Sequence, residues 1–391
     1  MIGAFLQAMR EEFAAVRRNE GALGVLIGAI LLYGLLYPSP YSNQVFRDVP
    51  VVVVDHDNSV LSRQLIRMAD ASEMVDVIGQ AGDMSAARDQ LYRSKVLGVV
   101  QIPREFERRV LRGEQAVIGV YGNAGYVLAY SMIAETLTEV AMTIGAGVQI
   151  EQLQAKGVPL EQAKVARAVL PVTIKTLYDP AGGYASYVVP AVLIIMLHQT
   201  LLIGIGMLSA DNRHLPLSPV AGRSPGMWVL GRCVPYLLIS AFNSLFFFGV
   251  IFRLYGLPSQ GNGWVLMPFL TLFLLATTLF GLVVGSLFRS SITVGQVLLF
   301  TSLPGVFLAG FSWPKEMLPE PLFWLSRMIP NTAGVEGFLR LHQMGADYRQ
   351  IEWPLVNLAI LALVFWLLAR WLTRRRVRAE QGIAPGHTGQ T

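Results

Sequence analysis

The chain has 391 residues, 53% hydrophobic and only 15% charged, with a mean hydropathy of +0.49, whereas a soluble domain carries about a quarter charged residues. That balance excludes an ordinary soluble globule. The formal charge of +5 is too small, and too concentrated beside apolar stretches, for a nucleic-acid binder, and the single cysteine, Cys233, excludes an intramolecular disulfide or a cysteine-rich metal site.

Crossing a hydrocarbon layer of ~30 Å takes roughly 20 apolar residues as helix. The first such stretch, Ala22–Tyr37, follows Arg10, Arg17 and Arg18 as the core of a signal peptide would. Pro38 and Pro40 stand where a cleavage site needs small residues, and no A-x-A-like site occurs, so 21–38 is predicted to be an uncleaved anchor and first transmembrane helix.

Residues 41–180 have the composition of a soluble domain. The β-branched run Val49–Val54 is followed by Asp55-His56-Asp57-Asn58-Ser59 and a helical pattern through Ala69; Val75–Ile78, Val96–Gln101 and Val117–Tyr121 read as further strands. Helical patterns cover Ser85–Tyr92, Arg104–Arg112 and, at length, Ala124–Ala155, where Ile133, Leu137, Val140 and Ile144 form one apolar stripe predicted to pack on the sheet. Alternating strands and helices indicate an α/β domain. Asp55-x-Asp57 at a strand end has the spelling of phosphotransferase sites of the haloacid-dehalogenase kind, where two carboxylates act as nucleophile and acid and hold Mg²⁺. The downstream lysine and acidic pair are not convincingly spaced, and the competing reading is a helix N-cap at Asp57, Asn58 or Ser59.

Five more apolar stretches follow: Tyr184–Ser209, Trp228–Phe252, Trp264–Phe288, Ser291–Phe311 and Pro354–Leu372. Arginines cluster before the first span, at Arg213, Arg223 and Arg232 after the second, at Arg289 after the fourth, and at Arg370, Arg374, Arg375, Arg376 and Arg378 after the sixth. By the positive-inside rule both termini, the loop 210–227 and the basic tail 373–391 are cytoplasmic, while 41–180 and 311–352 are external, periplasmic in a bacterium with two membranes. The segment 311–352 is apolar and punctuated by proline, and is predicted to form re-entrant-like short helices packed against protein. The expected fold class is thus an α-helical polytopic membrane protein, six transmembrane helices within 21–38 and 181–372, with an inserted α/β periplasmic domain.

No Gly-Lys dipeptide occurs, which removes the phosphate-cradling loop of an ATPase, and the scattered histidines contain no H-E-x-x-H. No catalytic residue, metal ligand or cofactor is expected in this chain. The span centres hold essentially no ionisable group except His198, against the pattern of an ion-coupled carrier.

Gly310-Phe311-Ser312-Trp313-Pro314, Met317, Pro319, Ile329-Pro330-Asn331-Thr332 and Gly337-Phe338-Leu339-Arg340 follow one another after the fifth span, and Val53-Val54-Asp55-x-Asp57-x-Ser59 and Ile102-Pro103-x-x-Phe106 lie in the external domain. In this order the motifs resemble the permease subunits of type-2 ATP-binding-cassette (ABC) exporters, in the drug-efflux or linker branch. The resemblance implies an ATP-driven exporter of a hydrophobic or amphipathic substrate. Two six-span permeases would form the pathway, two cytosolic ABC ATPase subunits would bind ATP and Mg²⁺ beneath them, and lipid would surround them. A periplasmic adaptor on 42–180 is a further candidate partner. Ala4–Arg18, within the cytoplasmic segment 1–20, would be an interface helix with Phe5, Met9 and Phe13 on one face. Contact to the ATPase would fall at Asp211, Asn212, Arg213 and His214, although the Gly-Thr that usually ends this signature is missing. The pathway would be lined by His198, Gln199 and Thr200 on the second span and Thr293, Gln296 and Thr301 on the fifth, and Pro314, Met317, Pro319, Pro330 and Thr332 would shape the external gate. The alternative reading is a non-transporting membrane scaffold or sensor that presents the external domain.

Overall fold

The computed structural model describes residues 1–41, 47–167 and 183–382. The ends of the expected external domain, 42–46 and 168–180, and the tail beyond 382 lie outside the described residues. The chain divides into two compact units, Met1–Gln44 with Thr176–Thr391, and Val45–Lys175.

Among the described residues, the first unit contains six helices long and apolar enough to cross a membrane: Glu20–Tyr41, Ala185–His214, Pro225–Leu254, Gly263–Leu287, Ser291–Leu308 and Tyr348–Glu380. We number them spans 1 to 6. Span 6 runs well past the stretch legible as apolar, because Arg370 to Glu380 continue the helix on good helix formers. Spans 2 and 4 form the centre of the unit. A β-carbon at Gly285 would sit 2.7 Å from the Ser209 Cβ and 3.0 Å from the Gly206 Cα, and one at Gly281 would sit 3.1 Å from Ile205, so the two helices touch backbone to backbone. Gly24 and Gly28 have the same spacing, yet among the described residues nothing lies within 4 Å of a β-carbon at either. They bound a π-helical turn in span 1, inside which the Leu26 carbonyl accepts from Asn243 of span 3 at 2.8 Å. With no water in the hydrocarbon, a side-chain amide has to serve that carbonyl.

Proline explains one break and not another. Span 2 continues through Pro190, whereas span 5 divides into Ser291–Phe300 and Ser302–Leu308. Pro304 lacks an N–H and its ring crowds the carbonyl four residues back, at Phe300. Gly310, at φ +80°, ends the helix in the left-handed conformation that glycine adopts without strain. The chain then forms the short helices Glu320–Arg327 and Pro330–His342. The second is almost wholly buried. Its Gly334 and Gly337 face the Phe273 and Phe269 rings of span 4 so closely that a β-carbon at either would overlap the ring.

Two aromatic levels mark the membrane. Exposed Trp264 and Trp353 stand at the starts of spans 4 and 6, with Trp313 and Trp324 exposed in the segment after span 5. Arg327 lies over the rings of Phe323 at 4.3 Å and Trp353 at 4.6 Å. At the other end of span 6 stands exposed Trp371, followed by Arg374, Arg375 and Arg376. At 1.5 Å per residue, Trp353 to Trp371 spans about 27 Å, close to the hydrocarbon thickness.

Among the described residues, the second unit holds a four-stranded sheet of β1 (Val49–Asp55), β2 (Val75–Gln80), β3 (Gly98–Ile102) and β4 (Gly119–Gly122), in the order β2-β1-β3-β4. The first three are parallel and β4 is antiparallel on β3. The chain steps from β1 to one side and then back across it, so right-handed crossovers require helices on opposite faces. Val51 and Val53 pack with helix Val60–Asp70 and the stripe Ile133, Leu137, Val140 and Ile144 of helix Val127–Ala155. Val52 and Val54 pack on the other face with Ala87 and Leu91 of helix Met84–Tyr92. The four consecutive valines are what a central strand buried on both faces needs.

The backbone contact between spans 2 and 4 yields the first prediction. Gly285→Ala should lower the thermal midpoint of the detergent-solubilised protein by an amount worth about 1–3 kcal/mol of overpacking. Gly24→Ala, in open space, should leave it unchanged or slightly raised; equal losses from both would contradict the packing described.

Candidate functional site

At the end of the spans where the N-terminal helix Ile2–Arg18 begins the chain, four polar ties gather the loops. Asn19 caps the start of span 1 through the Ala22 N–H at 2.9 Å, and its amide donates to Asp211 at 2.9 Å. Arg213 donates to the Ser286 and Phe288 carbonyls at 2.6 and 2.9 Å, filling the open C-terminus of span 4. Gln7 donates to Ser218 at 2.9 Å. Glu380 of span 6 accepts the Leu217 N–H at 3.0 Å, and Arg376, paired with Glu380, donates to the Leu215 carbonyl. The loop between spans 2 and 3 is thereby fastened to the N-terminal helix, to span 4 and to span 6. His214 is exposed and makes none of these ties.

The N-terminal helix is itself held by a buried ion pair that sequence reasoning missed. It presents Ala4, Ala8, Glu12 and Val16 inward. Gly231 of span 3 lets the backbone at Phe5 come so close that a β-carbon there would overlap the Phe5 carbonyl. Beyond this contact Arg232 grips Glu12 with two bonds, 2.7 and 3.0 Å, and the Tyr236 hydroxyl donates to the same carboxylate at 2.6 Å. Glu12 is 8% exposed and Arg232 21%. Arg232 reads in the sequence as one of the orienting arginines, and it lies inside span 3. The signal was the small-residue repeat Ala4-x-x-x-Ala8 leading to an acidic residue on the same stripe. Phe5 and Met9 are half-buried and Phe13 is exposed, on a different stripe from the one that packs on protein.

The residues proposed to line a pathway do not share one environment. His198 is 3% exposed and stacks on Phe273 at 6.2 Å, with neither ring nitrogen hydrogen-bonded among the described residues. Thr200 is buried and bonds back to the Met196 carbonyl at 2.7 Å. Gln199 donates to the Leu298 carbonyl of span 5 at 2.6 Å and so joins the two helices. Thr293, Gln296 and Thr301 are exposed on span 5, beside exposed Ile292, Phe300 and Phe307.

Beyond span 5, the Pro-Asn-Thr motif has a mechanical reading. Pro330 opens its helix, Asn331 donates to the Gly305 carbonyl at 3.2 Å, and Thr332 donates to the Leu308 carbonyl at 3.1 Å. Both carbonyls belong to the last turn of span 5, where Gly305 also accepts the Ala309 N–H. Glu336 bridges Lys315 at 2.5 Å and Arg340 at 2.6 Å, tying the chain after Pro314 to the same helix. Met317 is exposed in a single 3₁₀ turn that precedes Pro319.

In the second unit, the two aspartates at the end of β1 are both engaged as caps. Asp55 accepts the Asp57 and Asn58 N–H groups, each at 3.0 Å, and the Ser62 hydroxyl at 2.7 Å. Asp57 accepts the N–H groups of Phe106 and Glu107 at 3.1 and 3.0 Å, while Glu107 accepts the Leu61 N–H at 3.1 Å. Two helices at the carboxyl edge of the sheet thus cap one another across the point where strand order reverses, which is where an open α/β sheet otherwise takes a ligand. Ser59 forms the capping box of helix Val60–Asp70. Among the described residues no group of three or more His, Cys, Asp or Glu is placed to hold a metal ion. Gly222-Arg223-Ser224-Pro225-Gly226 has the letters of a nucleophile elbow, but it joins a short helix to span 3 rather than a strand to a helix.

The geometry is that of a multi-pass membrane protein, and the family model described as "ABC-2 family transporter protein" matches residues 22–371. The chain belongs to the ABC-2 transporter family. It is 22% identical over 330 residues to the "Probable multidrug ABC transporter permease YbhR" of Escherichia coli (strain K12), covering 81% of this chain and 84% of that protein. It is 26% identical over 140 residues to the "Inner membrane transport permease YhhJ" of Escherichia coli (strain K12), covering 36% of each. Membership of this ABC-2 family makes the chain a transport permease, in keeping with the resemblance read from the motifs after span 5.

Asp57 supplies a prediction with a definite sign. Partial burial pushes its carboxyl up, but bonds from the Ser59 hydroxyl and the backbone of Glu107, Phe106 and Glu105 outweigh this and hold it below its ordinary 3.8. A carboxyl lowered by folding contributes stability that is fully present above about pH 4 and is lost as the pH falls through the folded-state value. Asp57→Ala should cost about 1 kcal/mol near neutral pH and should remove part of the acid dependence of unfolding. An acid transition unchanged by the substitution would contradict the capping role.

Proposed function

We propose that the chain is the membrane-spanning half of an exporter in the drug-efflux or linker branch, working in the inner membrane as one of two permeases. Each is driven by a separate cytosolic ABC ATPase that holds ATP and Mg²⁺. On this reading both termini and the loop 210–227 face the cytoplasm, and Val45–Lys175 and the segment 311–352 face the periplasm. The cargo is hydrophobic or amphipathic, in keeping with span faces that carry little charge. The printed name of one relative describes a multidrug permease.

The observation that carries the proposal is the fastening of the loop between spans 2 and 3. An ATPase pressing on exposed His214 moves a segment tied by Arg213 to span 4, by Ser218 to the N-terminal helix, and by Leu215 and Leu217 to span 6. Asp211, Asn212 and Arg213 then hold the loop's shape, and His214 meets the partner. The second permease covers the exposed face of span 5, which places Thr293, Gln296 and Thr301 between the two copies. Gln199 couples span 5 to span 2, and His198 and Thr200 lie behind that face. Pro314, Met317, Pro319, Pro330 and Thr332 shape the external closure over the end of span 5.

The test is purification of the chain from its native membrane, with ATP hydrolysis assayed in lipid. We expect an ATPase subunit to co-purify in equal amount and its turnover to depend on this chain. His214→Ala should retain the ATPase while permease-dependent turnover falls several-fold. A pure chain without a nucleotide-binding partner would overturn the proposal in favour of a membrane scaffold.

A further inference from the structure

A cleft of about 1530 Å³ opens at the same end of the spans, between the N-terminal helix, the loop after span 2 and the extension of span 6. Its floor is apolar, with Leu208, Leu282, Leu287 and Leu372 among the lining residues, and six arginines and four glutamates stand around it. The arginines are unequally committed. Arg232 is paired with Glu12, Arg376 with Glu380, and Arg213 with the carbonyls ending span 4. Arg375 lies over the Trp371 ring at 5.5 Å. Arg10 and Arg18 are exposed and have no ion pair or hydrogen bond among the described residues. Two acidic groups are not held by arginine: Glu11 accepts from Gln7 at 2.9 Å, and Glu20 is exposed at the start of span 1.

Depth decides what such a cleft can bind. Trp371 marks the edge of the hydrocarbon, and Arg375 and Arg376 follow it by four and five residues along one helix. That places them about 6–8 Å beyond the edge, within the headgroup layer, which is itself roughly 5–8 Å thick on each side. Arg10 and Arg18 line the same cleft as Arg375 and Arg376, and free cations beside an apolar floor next to the headgroup layer match a molecule with an anionic head and a hydrocarbon tail. A free anion would leave the floor unoccupied.

We infer that this cleft binds the phosphate-type headgroup of an anionic amphiphile drawn from the adjoining leaflet, with Arg10 and Arg18 as its principal contacts and the leucine floor taking the first part of the tail. The inference rests on the proposed orientation, which makes that leaflet the cytoplasmic one.

The test uses the permease with its co-purified ATPase in nanodiscs, with spin-labelled phosphatidylglycerol and phosphatidylcholine as probes. The complex should select phosphatidylglycerol, and Arg10→Gln/Arg18→Gln should lower that selectivity about tenfold, at roughly 1 kcal/mol or less for each charge near the surface. Arg374→Gln/Arg378→Gln removes the same charge outside the cleft lining and should leave selectivity nearly intact. Glycerol phosphate at millimolar concentration should not displace the lipid. Equal losses in the two variants would overturn the inference in favour of a diffuse charge effect, and displacement by glycerol phosphate would overturn the role of the tail. If Arg10→Gln/Arg18→Gln releases the ATPase and leaves lipid selectivity unchanged, the arginines serve subunit docking; that outcome rejects the lipid site while leaving the exporter reading standing.

Discussion

Glu12 is buried and Arg232 is largely so, at the wall of the cleft, and the basic end of the spans is arranged around that pair. Each charge alone would carry a desolvation penalty of several kcal/mol, so the carboxylate and guanidinium hold each other, with Tyr236 filling a further acceptor position. The consequence is geometric. The N-terminal helix is held against span 3 at Gly231, and from that fixed place Gln7 reaches Ser218 and Asn19 reaches Asp211. Without the pair, one wall of the cleft and one anchor of the loop would have no defined position.

A related constraint accounts for most of the other polar side chains in the first unit. Helix ends and π-helical turns leave carbonyls open, and hydrocarbon offers them no donor. Arg213 serves the end of span 4, Asn331 and Thr332 serve the end of span 5, and Asn243 serves Leu26 within span 1. Family motifs that look like gate residues or docking signatures therefore have a local task first. Their functional effect, on the reading advanced here, follows from which elements these bonds join.

Much of this architecture was legible in the chain. Six spans follow from apolar length, and a strand follows from the β-branched run Val49–Val54, whose four consecutive valines suit burial on both faces. The stripe through Ile133 and Ile144 likewise identifies its buried face. Less legible was anything that depends on a partner helix. Gly24-x-x-x-Gly28 and Gly281-x-x-x-Gly285 have the same spelling, and only the second meets a neighbour within the chain. Arg232 and Glu12 are separated by 220 residues, so no local pattern distinguishes them from orienting charges. In the second unit, Asp55-x-Asp57 could be read as chemistry or as capping until the helix Phe106–Leu111 was seen to bring its N–H groups to Asp57.

On the proposed reading, the central claim is that the Glu12–Arg232 pair fixes the N-terminal helix from which the loop between spans 2 and 3 is anchored, and a double-mutant cycle tests it most directly. Permease-dependent ATP hydrolysis and thermal stability would be measured for Glu12→Gln, Arg232→Gln and the double variant in lipid. Each single change should destabilise the protein by leaving one charge unpaired, by less than the roughly 3–5 kcal/mol of a fully buried pair because Arg232 is 21% exposed. The double variant should recover much of that stability while hydrolysis stays uncoupled from the permease. Additive losses in the double variant, or hydrolysis in it as responsive to the permease as in the unaltered protein, would contradict the account.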